Sequence, residues 1–444
     1  MRWLARFKRT PEYRQAVEIV RELKKAGHEA FLVGGCVRDL LMGRTPQDFD
    51  IATSARPEEV GRLFPRTIPV GIQFGVQMVL KGEHPYEVAT FRTDGEYQDG
   101  RRPEGVLFSG PKEDALRRDF TVNGLFYDPV GRKITDYVGG REDLRRRIIR
   151  AIGDPCGRFR EDRLRMLRAV RFAAVLGFEI EPATFRAIRE QSDRIREVSP
   201  ERVRDEMVKL FTGPRAGRGL TLMDESGLLE VLLPEVARMK GVAQPPEFHP
   251  EGDVFVHTRM VLEGLRGPSA VLAIGALLHD VGKPPTFRVA DRIRFDGHDR
   301  VGAKMSEAIC RRLRFSNAET DAISEIVGNH MRFKDVKQMR LSTLKRFLGL
   351  ATFSDQLKLH RIDCLASHGD LGNWRFLQRK LKQLTPREIK PPPLITGHDL
   401  LDLGYKEGPA LGTILRSVEE KQLEKELCSK EEALSWVRKQ FPRR

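Results

Sequence analysis

The stretch FLVGGCVRDLLMGRTPQDFDIAT, residues 31–53, contains the pattern that decides the fold of this chain. An apolar run leads to two glycines, Gly34 and Gly35, and a short helical pattern follows them. Asp48 and Asp50 then stand two apart in a segment with strand character, and residues two apart in a strand point to the same face. Two neighbouring carboxylates repel each other unless a cation lies between them. The spacing therefore indicates a site for a divalent metal ion.

The two glycines strengthen this interpretation. They stand between a predicted strand and a predicted helix, where backbone N–H groups can approach a phosphate closely. A glycine pair alone is usually an ordinary turn, and an exposed DxD triplet alone is common on protein surfaces. The combination of GG, RD and DxD in this order is much more specific, and it favours nucleotide and metal binding.

The composition is typical of a soluble, folded and mainly helical protein. The 444 residues, 40% of them hydrophobic and 32% charged, are enough for about two to four domains. No window reaches the roughly 18 apolar residues that a membrane-spanning helix needs. The basic N-terminus lacks the apolar segment of a secretory signal. Five scattered cysteines without a CxxC pair favour a reducing cytoplasm.

The charge distribution points to nucleic acid. A net charge of +15 is common in proteins that bind nucleic acid, because phosphate contacts release counterions. A merely basic surface would give the same total. Arginine, however, is concentrated between residues 117 and 204, and its planar fork suits phosphates and base edges better than lysine does.

The hydrophobic pattern predicts an α+β head followed by a helical body. The segments EAFLVGG, DFDIAT, FGVQMVL and YEVATFR are predicted strands, with a hairpin connecting the last two across KGEHP. All predicted strands lie before about residue 140. Residues from about 158 to 211 are predicted to be helical throughout.

Four motifs occur in order along the first half of the chain: GGCVRDLLMG with DFDIAT, then FRTDGEYQDGRRP, RRDFTVNGL and GRFREDRLRMLRAVRFA. Together they resemble the class II tRNA nucleotidyltransferases. These are the CCA-adding enzymes, whose relatives include bacterial poly(A) polymerases. The resemblance implies a polymerase-β-like head, a mixed sheet with helices, followed by an all-α body. It also implies template-independent addition or repair of the 3′-terminal CCA of tRNA from CTP and ATP, with release of diphosphate.

The resemblance also assigns roles to individual residues. Asp48 and Asp50 would hold Mg²⁺ and activate the RNA 3′-hydroxyl for attack on the α-phosphate. Glu87 is the candidate for a third carboxylate, and Glu113 is the alternative. Arg118 would bind the triphosphate, and Asp119 with Asn123 would contact the sugar. The complete nucleotide and phosphate set is Gly34, Gly35, Arg38, Arg118, Asp119, Asn123, Glu161, Asp162, Arg165, Arg168 and Arg171.

The segment EDRLR suggests how two bases could be selected. It lies inside a predicted arginine-rich helix, where Glu161, Asp162 and Arg165 would share one face. Cytosine and adenine both present an amino donor beside a ring-nitrogen acceptor, so one carboxylate and one arginine could take both. Uracil and guanine would leave buried polar groups unpaired. Glu161 would hold Arg165 in place, although an isolated EDxxR is more often an ordinary helix salt bridge.

The reaction within the family depends on a loop, residues 93–105, that contains Asp99, Arg101 and Arg102. The resemblance implies that such a loop is needed for the final adenosine step and that CC-only enzymes lack the loop. Its presence here therefore favours CCA or A addition. Poly(A) polymerase is the second candidate, although PVGIQFGVQMV is closer to the CCA-adding pattern. An A-adding enzyme with a separate CC-adding partner stays open. So do an HD hydrolase with a nucleotide-binding head and a non-catalytic RNA-binding protein.

A second group of residues lies between positions 254 and 370. The order H…HD…H…H…D on apolar helical segments resembles HD-domain metal phosphohydrolases, and imidazole with carboxylate suits a transition metal such as Ni²⁺ or Mn²⁺. We expect a phosphatase or 2′,3′-cyclic phosphodiesterase that acts on damaged RNA 3′ ends. The predicted ligands are His257, His279, Asp280, His298, His330 and Asp363.

Four domains follow from these motifs and from two proline-rich linkers. We expect a nucleotidyltransferase head at 1–140, a helical neck for base recognition and RNA binding at 141–240, and an HD-type domain at 241–390. A helical tail at 391–444 would contact tRNA. The expected partners are tRNA, CTP and ATP in the cytoplasm, with no membrane and no DNA.

Overall fold

The structure, a computed structural model, describes residues 10–70, 75–94, 106–247, 249–250 and 252–442. The chain forms two compact units, residues 1–237 and 238–444. Among the described residues, the first unit contains a large mixed sheet with helices, and the second is helical apart from one short hairpin. The predicted α+β head and helical body are therefore confirmed. The loop residues Asp99, Arg101 and Arg102 lie outside the described ranges.

The strands of the first unit are β1 (Ala30–Val33), β2 (Asp50–Thr53), β3 (Thr67–Pro69), β4 (Val76–Lys81), β5 (His84–Thr90), β6 (Arg92–Asp94), β7 (Val106–Phe108), β8 (Leu125–Asp128), β9 (Lys133–Asp136), β10 (Ile148–Ile149) and β11 (Glu179–Ile180). Its helices are α1 (Pro11–Lys25), α2 (Gly35–Leu41), α3 (Pro57–Leu63), α4 (Pro111–Leu116), α5 (Gly140–Arg146), α6 (Pro155–Glu161), α7 (Leu164–Leu176), α8 (Pro182–Gln191), α9 (Pro200–Phe211), α10 (Ala216–Glu225), α11 (Leu228–Leu232) and α12 (Pro234–Ala237).

Seven strands form the main sheet in the order β3-β4-β5-β2-β1-β8-β9. Strands β2 and β5 run parallel, whereas their neighbours pair in antiparallel fashion. The antiparallel β4–β5 pair confirms the hairpin predicted across KGEHP. Ile51 on β2 lies opposite Val88 on β5, which places Asp50, the first residue of β2, next to Glu87 in the middle of β5.

Phe49 fixes the direction of the two acids. It is 5% exposed and belongs to the core beneath α1, with its ring centroid 5.9 Å from that of Tyr13. Because neighbouring residues of an extended chain point to opposite sides, Asp48 and Asp50 are directed away from this core. Only Asp50 lies within β2, so the prediction that both acids stand on the strand is wrong for Asp48.

Short strands occur beyond residue 140, where the sequence pattern predicts none. Strand β10 pairs in parallel with β11, which interrupts the region predicted to be wholly helical. In the second unit, β12 (Arg288–Val289) and β13 (Ile293–Arg294) form an antiparallel hairpin. Strands of two residues are too short to produce an alternating pattern, which explains why the prediction is wrong here.

The segment EDRLR joins two helices and does not lie inside one. Helix α6 ends at Glu161, and Asp162 is extended with φ −143° and ψ 104°, so α7 begins only at Leu164. The carboxylate of Asp162 accepts a hydrogen bond from the Leu164 backbone N–H at 3.1 Å. Such a local bond competes with helix continuation. The prediction that Glu161, Asp162 and Arg165 share one helix face is therefore wrong.

The helices of the second unit are α13 (Val254–Gly264), α14 (Ala270–Leu278), α15 (Lys283–Thr286), α16 (His298–Arg312), α17 (Asn317–Asn329), α18 (Leu341–Leu348), α19 (Phe353–Ala366), α20 (Gly372–Gln383), α21 (Pro386–Ile389), α22 (Gly397–Asp402), α23 (Pro409–Leu423) and α24 (Lys430–Gln440). Helix α14 is buried along most of its length, from Leu272 to Leu278. Two further hydrophobic clusters lie around Phe347 and around Val437. The division of the chain into four domains stays a prediction.

Within the described ranges, none of the helices combines the length and the apolar character that crossing a membrane requires. All five cysteines are free.

Candidate functional site

A cavity of about 640 Å³ in the first unit gathers most residues predicted from the motifs of the head. Glu87 and Glu161 are predicted residues that do not line it. Arginines outnumber carboxylates in its wall, so the cavity suits a polyanion such as a triphosphate. The lining residues are Gly34, Gly35, Arg38, Asp48, Asp50, Arg92, Arg117, Arg118, Asp119, Asn123, Asp162, Arg165, Arg168, Arg171, Phe172 and Lys209.

Gly34 allows the close approach of a cation and a carboxylate. Its φ of +74° is unfavourable for other residues, and a Cβ there would lie 3.0 Å from Nη1 of Arg118 and 3.7 Å from Oδ2 of Asp50. A side chain at this position would therefore intrude between Arg118 and Asp50. The glycine keeps open the space where β1 turns into α2.

Negative charge accumulates around Asp50. Burial, together with the charges of Glu87 and Asp48, raises the pKa of Asp50 to about 6, although Arg118 opposes the shift. The carboxylates around Asp50 are therefore not neutralised by the cations nearby. A bound divalent cation would supply the missing positive charge. Oxygen ligands of this kind fit Mg²⁺. Glu87 and Glu113 are both exposed, but Glu87 lies on the adjacent strand, and its charge is one of the causes that raise the pKa of Asp50, whereas Glu113 is not among them. This difference favours Glu87 over Glu113 as the candidate third carboxylate.

Asp114 holds two arginines of the cavity in place. Its side chain is 1% exposed and pairs with Nη2 of Arg117 at 2.7 Å and with Nη2 of Arg118 at 3.0 Å. Burial alone would raise the pKa of Asp114, but the two guanidinium groups lower it below its ordinary value. The carboxylate is consequently ionised, and it fixes the side chains that line the wall beside Gly34.

Asp119 is committed to a partner within the protein. Its Oδ2 accepts from Nη2 of Arg168 at 2.7 Å, and its Oδ1 accepts from Nδ2 of Asn123 at 3.1 Å. Burial would raise the pKa of Asp119, yet Arg168 and these hydrogen bonds lower it to about 2. Asn123 in turn accepts from Nη1 of Arg38 at 2.7 Å. These residues form one connected polar wall.

Phe172 is the centre of a cluster of cations. The guanidinium carbons of Arg38, Arg168 and Arg171 lie 5.3, 5.3 and 4.0 Å from its ring centroid. A cation over an aromatic face gains about 0.5–1 kcal/mol at an exposed site, and more when it is desolvated. Glu206 on α9 adds a buried carboxylate, 2.5 Å from Nε of Arg171 and 3.4 Å from Nη1 of Arg168.

The predicted base-reading residues lie at the junction of α6 and α7. Arg165 is 7% exposed and donates from Nη1 to Glu161 at 2.6 Å, so the expected ion pair is present. Arg158 also pairs with Glu161 and donates to the backbone carbonyl of Arg118 at 2.6 Å. Asp162 does not pair with Arg165. Instead it accepts from Nη2 of Arg202 at 2.8 Å.

In the second unit, the predicted HD residues gather around Asp280. Its Oδ2 lies 3.2 Å from Nε2 of His279 and 3.9 Å from Nε2 of His257. Its Oδ1 lies 3.7 Å from Nε2 of both His298 and His330. Two possible metal-binding groups therefore share Asp280, and one contains His257 and His279 whereas the other contains His298 and His330.

Asp363 joins the same cluster through His257, since its Oδ1 lies 2.9 Å from the Nε2 of that histidine. Three of the rings are held in one tautomer. Nδ1 of His279, His298 and His330 lies 2.8, 2.8 and 2.6 Å from the backbone carbonyl oxygen three residues earlier. Nδ1 must donate there, which leaves Nε2 of each ring as a possible metal ligand.

The protonation states suit a metal. Burial lowers the pKa of His298 and lowers that of His330 to about 4, so both rings are neutral at pH 7. Burial would raise the pKa of Asp280, but His279 and Lys283 hold it well below its ordinary range. Nε2 of His279 is buried and has no hydrogen-bond partner among the described residues. Neutral imidazoles with carboxylates fit a transition metal.

A cleft of about 640 Å³ opens beside this cluster, and we name it the HD cleft. Its volume is within the range of pockets that hold small molecules. Its lining includes the predicted ligands His298, His330 and Asp363, the cations Arg292, Arg294 and Lys334, and Asn373.

Three segments of the chain match models of known protein families. Residues 30–150 match the poly A polymerase head domain, residues 177–240 the probable RNA and SrmB-binding site of polymerase A, and residues 253–363 the HD domain. A CCA-adding enzyme of Lactococcus lactis subsp. cremoris (strain MG1363) is 36% identical over 432 residues, which are 95% of this chain and 95% of that protein. The chain belongs to the family of CCA-adding enzymes.

Two further CCA-adding enzymes are similar to the chain. That of Geobacillus stearothermophilus is 50% identical over 219 residues, which are 49% of this chain, and the match spans about half (54%) of that relative's length. The crystal structure of the Bacillus stearothermophilus CCA-adding enzyme in complex with CTP is 30% identical, with a TM-score of 0.75 over 97% of this chain and 98% of that one. The family predicted from the motifs is confirmed.

Several residues of the two sites are not among those predicted from the sequence. Asp114 stands three and four residues before the arginines it holds, so helical spacing alone could have identified it. Lys283 pairs with Asp280 at 2.8 Å and follows the HD dipeptide closely. Phe172 stands four residues after Arg168 and next to Arg171 on α7, so helical spacing could have indicated these two contacts as well. Arg202 and Glu206 reach their partners through tertiary packing, and no local pattern in the sequence indicates them.

The charge shortage at Asp50 predicts a pH-dependent stability. A raised carboxyl pKa costs folding free energy that is absent below about pH 4 and fully present above about pH 6. We expect the free energy of unfolding of Asp50→Asn, measured with urea at pH 7.5 in EDTA, to exceed that of the wild type by about 1–3 kcal/mol. The difference should disappear near pH 4 and shrink when Mg²⁺ is added.

The matched control is Asp193→Asn in the same unit, where the carboxylate is 83% exposed. It should leave the urea midpoint unchanged at every pH. If Asp50→Asn were no more stable than the wild type at pH 7.5, the ionised carboxylate of Asp50 would not destabilise the fold, and this prediction would be wrong.

Proposed function

We propose that this protein is a template-independent nucleotidyltransferase that adds or repairs the 3′-terminal CCA of tRNA, using CTP and ATP and releasing diphosphate. The observation that carries the proposal is the single cavity in which Asp48 and Asp50 face Arg118, Asp162 and Arg165. Carboxylates for a metal, cations for a triphosphate and a polar pair for a base are the three parts that nucleotide addition needs. The family of the chain supports the same conclusion.

The residues of the cavity divide the work. Asp48 and Asp50, with Glu87 as third carboxylate, would hold Mg²⁺, which supplies charge neutralisation for the triphosphate and for the attacking hydroxyl. Gly34, Gly35 and the arginines Arg38, Arg118, Arg168 and Arg171 would bind the phosphates. Asp114 and Phe172 keep those cations fixed, so that the triphosphate enters a site that is already arranged.

Asp162 and Arg165 would read the base, with Glu161 holding Arg165. The helix junction bends the chain between the two residues. An extended Asp162 and a helical Arg165 can therefore approach a planar base edge from different directions. Arg202 and the Leu164 backbone N–H each donate to one oxygen of Asp162, and the remaining lone pairs of the carboxylate are available to an amino group on cytosine or adenine. Asp119 with Asn123 would contact the sugar.

Relatives named as CCA-adding enzymes favour CCA addition over poly(A) polymerase activity. A-only addition together with a separate CC-adding partner uses the same motifs and is the second candidate. The loop residues Asp99, Arg101 and Arg102 keep their proposed role in the adenosine step. We propose tRNA, CTP and ATP as partners, a cytoplasmic location, and no role for a membrane or DNA. The tail at 391–444 would contact tRNA.

For the second unit we propose a metal-dependent phosphohydrolase, a phosphatase or 2′,3′-cyclic phosphodiesterase acting on damaged RNA 3′ ends. The four histidines with Asp280 and Asp363 would hold Ni²⁺ or Mn²⁺, which supplies a Lewis acid for the phosphoryl oxygens. The orphaned Nε2 of buried His279 and the locked tautomers support a metal at this position. The HD cleft offers space for the RNA terminus.

The carboxylates give the first test of nucleotide addition. Asp48→Ala and Asp50→Ala should each lower incorporation more than about 100-fold, since each removes a proposed metal ligand. The assay offers tRNA ending at the discriminator base, at C and at CC, with each labelled nucleotide in turn. Glu87→Gln should also be impaired, whereas Glu113→Gln should retain activity.

Addition of CCA followed by arrest supports the proposal, and long A-tails would support a poly(A) polymerase. Undiminished incorporation by either aspartate variant would refute the catalytic role of this pair.

Base selection is tested separately. Asp162→Ala and Arg165→Ala should lose the preference for CTP and ATP over UTP and GTP by about 100-fold or more, because the pairing that rejects the wrong bases is removed. The measurement is the ratio of kcat/KM values among the four nucleotides. Arg160→Ala, whose side chain is 70% exposed, is the control and should keep the wild-type ratio. Unchanged selection in Arg165→Ala would show that another residue reads the base.

The HD cluster is tested with 2′,3′-cyclic AMP and Ni²⁺ or Mn²⁺. His279→Ala and Asp280→Ala should abolish hydrolysis, since both remove proposed ligands, while CCA addition continues. The exposed His398 provides the control, and His398→Ala should hydrolyse at the wild-type rate. Equal background rates in the wild type and His279→Ala would reject the activity.

A further inference from the structure

Helix α20 carries an exposed row of cations. Its sequence, GNWRFLQRKLKQ, contains no acidic residue. Arg375, Arg379 and Lys382 are all exposed, and their spacing of four and three residues places them on one face of the helix. At 1.5 Å per residue, the row is about 10 Å long.

This row connects to the HD cleft. Asn373, in the first turn of α20, lines the cleft and donates from Nδ2 to the backbone carbonyl of Phe333 at 3.0 Å. Lys334 lines the same cleft. Nζ of Lys337 lies 3.4 Å from the point that a Cβ on Gly372 would occupy, and Gly372 stands one helical turn before Arg375. The basic track is therefore Lys334, Lys337, Arg375, Arg379 and Lys382.

None of these five cations forms an ion pair with any residue that the structure describes. Some other exposed cations of the second unit do form ion pairs, such as Arg346 with Glu419 and Lys425 with Glu388. The carboxylate of Asp370 accepts from the Gly372 backbone N–H at 2.7 Å, and its Oδ1 lies 3.1 Å from the same point on Gly372 that Nζ of Lys337 approaches. Five neighbouring cations without ion pairs outnumber this one acid, and such a row fits a partner with regularly repeated negative charge.

We propose that the basic track binds the backbone of an RNA strand and leads its 3′ terminus into the HD cleft. The HD cluster would then act on RNA ends in preference to free nucleotides. This rests on the phosphohydrolase activity proposed above. In that step water adds to phosphorus and one P–O bond to the ribose breaks. The proton of the water passes to the released ribose oxygen.

RNA is the occupant because its phosphates repeat along the strand, as the cations do along the helix. The chemistry of the cleft also requires a phosphate ester at the end of the track. A free nucleotide would reach the HD cluster without touching Arg379 or Lys382. The track therefore acts on polymeric substrates only.

The test compares two substrates in the full-length protein. One is a single-stranded RNA of about 12 nucleotides with a 2′,3′-cyclic phosphate end, and the other is free 2′,3′-cyclic AMP. We expect R375A/R379A/K382A to lose about tenfold or more in kcat/KM for the RNA, mainly through KM, with the free nucleotide unaffected. In the same variant, the slope of log kcat/KM for the RNA against log salt concentration should become shallower by about 2.

The control variant is R259A/K304A/R312A, which removes the same charge from exposed positions outside the cleft. It should match the wild type on both substrates. Equal losses on both substrates in the track variant, or no loss on either, would overturn the proposal.

A second measurement is independent of hydrolysis. Acetylation of lysines, followed by mass spectrometry, should show that the RNA protects Lys337 and Lys382 but not Lys304. If neither substrate is hydrolysed, the proposed HD activity fails, and lysine protection alone decides whether RNA docks on the track. Equal modification of the three lysines with and without RNA would exclude docking.

Discussion

The shortage of positive charge around Asp50 is the constraint on which the first unit depends. Phe49 anchors the acidic segment in the core beneath α1, and the parallel pairing of β2 with β5 brings Glu87 beside Asp50. A hydrophobic core therefore forces carboxylates together that would separate in water. Burial then makes their repulsion expensive, as the raised pKa of Asp50 shows. Such a site gives up folding stability for the ability to bind a cation.

The surrounding wall has the opposite character. Arginines outnumber carboxylates there, and several of them are fixed by specific neighbours, such as Asp114, Asp119 or Phe172. Fixed cations cost little reorganisation when a triphosphate arrives, whereas free side chains would first have to be ordered. The side chains of the HD cluster are also fixed in advance, but they include imidazoles, which are softer ligands than carboxylates. Burial keeps His298 and His330 neutral, so a metal binds these two rings without displacing protons from them.

The sequence predicts the motif-bearing segments well and the contacts between them poorly. The GG turn, the acidic pair and the histidine order each lie in one short segment, so the residue types and their spacing carry the information. The prediction of one continuous helix is wrong at Asp162, because this residue is extended and its side chain caps the start of α7 inside a pattern that is otherwise helical. Glu206 meets Arg168 and Arg171 only because α7 and α9 pack together, and Arg202 meets Asp162 through tertiary packing as well. Tertiary contacts of this kind have no local signature.

The hydrogen bonds of the three HD histidines have a consequence for how their metal could be exchanged. Each ring contacts a carbonyl only three residues earlier, so its orientation is set by the turn of chain that directly precedes it. Removing an ion would leave those rings pointing as before. The emptied cluster would keep its shape, and one metal could replace another without refolding of the chain around it.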